Sequence, residues 1–267
     1  MRTLRRMLLA TTSLIGLCMP SWAEEKASGK WATIKGQVVL AAKAPEPVEI
    51  EVSANHLDRA LCLKNGKIYQ EEWVVSKKNN GLKNVFVWIL PDGAKLDTPF
   101  PEKLINPQLA KPAKDTVEID QPCCQFIPHS LAARAGQRLV IKNSAPAAHN
   151  ARYDTNNNGF GNPIIQAGQK HEIMALMAEA LPFELSCTIH PWMKAKIGVF
   201  DHPYFALTDE NGDFEIMDAP MGKFRLYVWH DSGWMGSAAG KTGTLIEIDK
   251  EKFDLGTIKF PLPKPRK

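Results

Sequence analysis

No stretch of the 267 residues approaches the ~20 consecutive apolar side chains that a membrane-spanning helix requires, so no transmembrane anchor is expected. Concentrated charge of one sign is also missing. Lys and Arg are scattered, and the only basic run, Lys264 to Lys267, is a terminal tail, which argues against a nucleic-acid partner. None of the seven histidines forms a His-x-His pair, which removes the histidine clusters of oxygen-reducing copper enzymes, and no enzyme is expected. Two other motifs are incomplete. Gly236–Thr242 is one residue short of a phosphate-binding loop. The Asp154, Asn156, Asn158, Gly159 series opens like a calcium loop but has Ile165 where a bidentate Glu is needed.

What is present begins with an export signal, residues 1–23. Arg2, Arg5 and Arg6 precede a short apolar run from Met7 to Leu17, followed by Pro20 and the small-x-small end Ser21, Trp22, Ala23. A periplasmic or secreted location follows as an expectation, with the export route open because Arg5 and Arg6 make only a partial twin-arginine match. Removing the signal takes three of the 33 basic residues, leaving 30 against 29 acidic ones, a net charge near +1. Four cysteines remain in an oxidising compartment: Cys62, Cys123, Cys124 and Cys187. Adjacent cysteines such as Cys123 and Cys124 rarely bridge each other, so Cys62 with one of them is expected.

From Trp31 onward the pattern is β. Ile34 to Val39 and Val48 to Val52 alternate, and Asn84 to Leu90 is a buried-looking strand ending at Pro91, Asp92 and Gly93. Residues 96–114 are loose and polar and read as a linker. Later, Asn211-Gly212 is a strong hairpin signal, because this dipeptide accepts the positive φ of a tight turn.

The most informative stretch is Cys187 to Met193. A thiolate, an imidazole and a thioether spaced C-x2-H-x2-M can converge on one soft metal ion, and His149 after the apolar run Leu139 to Ile141 is the candidate fourth donor. A second cysteine in this loop is absent, which argues against a dinuclear copper centre.

These residues resemble the cupredoxin family, and the amicyanin-like members most closely. The likeness is carried by Phe126, Pro128 and Leu131, by Ala135-Gly136, by Pro146 with His149-Asn150, and by the Cys187–Met193 loop with Pro191 after its histidine. Ala147-Ala148 stands where those proteins usually have Pro directly before the His-Asn pair. The resemblance implies one type 1-like copper ion held by His149, Cys187, His190 and Met193. It makes Met193 the weak axial ligand and Asn150 the residue that ties the two ligand loops together. It also implies a surface-reaching His190 ringed by Pro191 and Trp192, through which electrons would pass to a redox partner protein. The disulfide is then expected at Cys62–Cys124, since Cys124 lies two residues before the family's first strand.

The flanks resemble the carboxypeptidase regulatory-like, transthyretin-type sandwich, through Ile34-x-Gly36-x-Val38, Val85 to Val87, and the stretch Thr208 to Ile216 leading to Pro220 and Gly222. The expected architecture is therefore all-β. A cupredoxin Greek-key sandwich at 115–200 is inserted in, or lies next to, a second sandwich split between 31–95 and 201–262. Mononuclear copper electron transfer is the expected function. The alternatives are a cell-envelope carbohydrate- or protein-binding module with a structural or degenerate metal site, and a copper carrier.

Overall fold

The computed structural model describes residues 31–235 and 237–262. The export signal and the basic tail lie outside the described residues, as does Gly236 of the incomplete phosphate loop. The fold class is all-β: among the described residues, helix is limited to the single turn Arg59–Cys62 and three 3-10 turns.

Two hydrophobic cores organise the strands. The inner one lies between two three-stranded sheets. Thr116–Asp120 and Arg138–Lys142 run parallel, with Lys170–Ile173 antiparallel on the far side. Ser130–Arg134 and Lys194–Phe200 also run parallel, with Phe183–Ser186 closing that sheet. Parallel neighbours that are not successive in the chain require crossing connections, as in a Greek key. Ile119, Leu139, Ile141, Leu185, Ile197 and Val199 fill the space between the sheets.

The outer core is assembled from both ends of the chain. Trp31–Leu40 pairs antiparallel with Asp213–Pro220 and parallel with Lys252–Phe260. Opposite it, Phe86–Pro91 lies between Phe205–Leu207 and Gly222–His230, with Thr244–Ile248 beyond. Ile34, Val38, Val87, Ile89, Leu226, Ile248 and Phe260 are buried between these sheets. Phe86 to Leu90 is an unbroken apolar run because neither of its faces meets water. Trp88 packs on Phe200 with ring centroids 5.6 Å apart, and Phe86 lies where a side chain at position 198 would be: its Cε1 is 2.7 Å from the Cβ that Gly198 lacks. Gly198 is thus a point of close approach between the two sandwiches, with no room for a side chain beside the Phe86 ring.

Three parts of the chain depart from the sequence-based expectations. Residues 48–70, expected with the flanks, send Val52, Cys62 and Ile68 into the inner core. Residues 96–114, expected as a linker, are packed against both sandwiches: Phe100 is buried, the Asn106 amide donates to the Tyr204 hydroxyl, and Arg134 Nη1 donates to the Leu109 carbonyl. Periodic patterns do not register such a segment, because it buries isolated side chains rather than a face. The Asn211-Gly212 turn forms, with Asp209 Oδ1 accepting the Asn211 and Asp213 amides, but its two strands belong to different sheets rather than to one hairpin.

Two histidines are buried in this framework. His202 lies at the seam, 4.6 Å from the Phe100 ring, and its pKa is pushed down to about 3, chiefly by burial and then by Arg134. His230 is pushed down to about 4, again by burial, against the opposing pull of Asp231. Both are neutral in the folded chain and titrate near 6.5 when unfolded. Their contribution to stability is complete above about pH 6.5 and is lost as the pH falls toward 4 and then 3. At about 1.4 kcal/mol per pH unit of separation, the loss by pH 4.5 is on the order of a few kcal/mol for each histidine. Urea unfolding at pH 7.0 and 4.5 reads it directly, and equal midpoints would refute it.

Candidate metal centre

The Cys187–Met193 loop is the tip of a hairpin. Phe183–Ser186 and Lys194–Phe200 pair antiparallel up to Ser186 opposite Lys194, which leaves the seven intervening residues to close on themselves. The Cys187 amide donates to the Met193 carbonyl at 3.1 Å, and the Met193 amide donates to the His190 carbonyl at 2.9 Å. His149 arrives on a short strand paired with Ile164–Ile165. Beyond it, reciprocal backbone bonds between Arg152 and Ser186, at 2.7 and 2.9 Å, zip this segment onto the strand that leads into Cys187.

The four expected donors are therefore buried at one end of the inner sandwich: His149 and His190 at 0%, Met193 at 1% and Cys187 at 2% exposure. Nδ1 of His149 is 2.9 Å from Nδ1 of His190, and Cys187 Sγ is 3.8 Å from the latter. One nitrogen from each imidazole and the sulfur all lie within 4.8 Å of one another. The His190 amide also points at Cys187 Sγ, at 3.4 Å. Asn150 joins the two loops, its Oδ1 accepting from the Thr188 amide at 2.8 Å, the Ile189 amide at 3.2 Å and the Cys187 thiol at 3.2 Å.

The electrostatics keep both imidazoles uncharged. Burial, then His190, push the His149 pKa down to about 4. His190 is also lowered by burial, with Asp58 opposing. Only one proton fits between the two facing Nδ1 atoms, and His149 Nε2 finds no hydrogen-bond partner among the described residues. Two neutral imidazoles, a thiol and a buried thioether in a water-poor site are a donor set suited to a soft transition metal such as copper.

Cys62 and Cys124 form the expected disulfide. Nearby, His129 Nε2 lies 3.4 Å from Asp231 Oδ2. Cys123 is a free, half-buried thiol.

One expectation fails. His190 does not reach the surface, because the segment that carries His56 and Asp58 covers it. Its Nε2 lies 3.1 Å from Asp58 Oδ2, and the His56 ring sits 5.0 Å from its own ring. Trp192 is half-buried, with its indole N–H donating to the Cys124 carbonyl at 3.1 Å. His56 and Asp58 were not distinguishable as site residues by spacing or composition.

No protein-family model matches the chain, and neither does any curated protein. Among solved structures, the chain is similar to amicyanin. A Cu(I) methionine-to-alanine variant shares 19% identity over 34% of this chain and 87% of the amicyanin chain, with a TM-score of 0.29. A reduced tryptophan-to-tyrosine variant shares 20% identity over the same fractions, also at 0.29. An oxidised methionine-to-leucine variant shares 19%, again over the same fractions and at 0.29. These structures do not support the transthyretin-type likeness expected of the flanks.

Proposed function

We propose that the chain holds one copper ion through His149, Cys187, His190 and Met193 and passes single electrons to a redox partner protein outside the cytoplasm. The observation that carries this reading is the convergence of two imidazole nitrogens and one thiol sulfur, all buried, within 4.8 Å. The Cys62–Cys124 disulfide supports an oxidising compartment.

Copper would supply the one-electron couple; the chain supplies the setting. Cys187 provides a soft thiolate that binds either oxidation state, and burial keeps water from competing for the ion. His149 and His190 present uncharged nitrogens at neutral pH, so no proton has to leave an imidazolium before binding. Met193, fixed by the backbone bonds that close the loop, offers a thioether as a weak fourth donor. Asn150 holds the two loops at a constant separation, which limits rearrangement between oxidation states.

The test is a copper titration of the purified protein followed by visible spectroscopy and voltammetry. One equivalent bound, an intense visible band and a reversible one-electron wave are expected. Uptake of zinc but not copper, or bound copper without a reversible wave, would replace this reading with that of a structural metal site.

A further inference from the structure

Both ring nitrogens of His190 are engaged, and the second engagement is what the structure adds. Nδ1 faces His149 Nδ1 at 2.9 Å and Cys187 Sγ at 3.8 Å, while Nε2 meets Asp58 Oδ2 at 3.1 Å. An ionised carboxylate can only accept, so Nε2 carries the hydrogen and Nδ1 keeps its lone pair directed at the metal site.

Asp58 is held in place from both sides. Its carbonyl accepts the Cys62 amide at 2.8 Å, and Cys62 is cross-linked to Cys124. Its amide donates to His56 Nδ1 at 3.2 Å, which leaves the hydrogen on His56 Nε2 to be donated to the Ile189 carbonyl, also at 3.2 Å. His56 therefore clasps the metal loop itself. Asp58 stands at the start of the Arg59–Cys62 turn, yet its carboxylate makes no capping bond there. Its side chain is 29% exposed, so the charge is only partly screened.

We infer that Asp58 is a positioning residue of the metal centre: through His190 it fixes the tautomer that presents Nδ1, and its charge favours the more positive oxidation state of the ion, while His56 holds the segment down. The inference rests on the copper reading above. A carboxylate on the far nitrogen of a ligand imidazole raises that ligand's basicity, and a nearby negative charge stabilises Cu(II) more than Cu(I).

Asp58→Asn and Asp58→Ala in the full chain separate these contributions. Asn removes the charge but keeps an acceptor oxygen; Ala removes both. Cu(II) affinity is expected to fall by about 10- to 100-fold, with Cu(I) affinity less affected. Each tenfold preferential loss of Cu(II) binding raises the potential by about 59 mV for one electron, and Ala should shift it at least as far as Asn. Nitrogen NMR of the metal-free protein gives an independent readout. The His190 hydrogen should sit on Nε2 in the parent and the Asn variant, and lose that preference in the Ala variant. A parent His190 protonated on Nδ1 would overturn the inference, as would variants that keep the parent's Cu(II) affinity and potential. Failure of the parent to bind copper at all would instead bring down the reading on which the inference rests, and is recognisable as such.

Discussion

Replacing Cys187 by Ser is expected to abolish the visible band of the copper-loaded protein and to weaken Cu(I) binding by at least ~100-fold, beyond the ~10- to 100-fold typical of losing a residue that only supports a ligand. The sulfur is the only soft anion among the four donors, and the other free cysteine among the described residues, Cys123, is not grouped with these donors: its sulfur is turned to the Leu61 carbonyl at 3.6 Å. Serine's hydroxyl does not ionise at neutral pH and is a hard donor, so both charge and softness go together. The fold should survive: a hydroxyl at this position can still donate to Asn150 Oδ1, which the Cys187 thiol does now at 3.2 Å. Competition binding and absorption spectra on a variant of unchanged circular dichroism measure the effect. Retention of colour and affinity would remove Cys187 from the site.

The second large effect is on stability. Converting both Cys62 and Cys124 to Ala should lower the unfolding free energy by about 2–4 kcal/mol, by releasing the constraint that the cross-link places on the unfolded chain. The bridged residues are 62 positions apart, so the loop they close is long, and both lie in the inner core, where alanine avoids burying an unpartnered hydroxyl. The same change frees the segment over His190. Amide exchange should therefore rise in residues 53–64 and in the Cys187–Met193 loop before it rises in the sheets. A urea midpoint equal to the parent's would show that packing alone holds the segment down.

Much of the site could be read from the chain because its chemistry is local. Cys187, His190 and Met193 lie in seven successive residues, so their spacing alone brings them to one hairpin tip. His149 and Asn150 were readable because they follow a recognisable strand at Leu139 to Ile141. The cover over His190 was not, since it depends on a contact between Asp58 and a residue far along the chain, and Asp58 only precedes a four-residue helix too short to carry a periodic pattern. The same division runs through the fold. Local turn chemistry at Asp209 to Asp213 identified a turn correctly but could not say which strands its two arms would join, because pairing is settled by tertiary packing. The apolar run from Phe86 to Leu90 signalled burial, while what covers its second face, strand Lys194–Phe200 at Gly198, appears only when the two sandwiches meet.

From the pairing of Trp31–Leu40 with Lys252–Phe260 we also expect an order of assembly. These two strands come from opposite ends of the described chain, and closing so long a loop carries an entropic penalty that few early contacts offset. The inner sandwich draws most of its strands from one continuous stretch and needs only residues 48–70 from elsewhere, so its nucleus can condense while the outer sheets are still open. Until the last strand arrives, the long edge of Trp31–Leu40 has unpaired backbone on that side, the kind of edge that invites pairing with another chain. A C-terminal truncation that removes Lys252–Phe260 would leave that edge permanently bare, and aggregation of the whole chain, rather than loss of the Cys187–Met193 loop's own geometry, would be its first consequence.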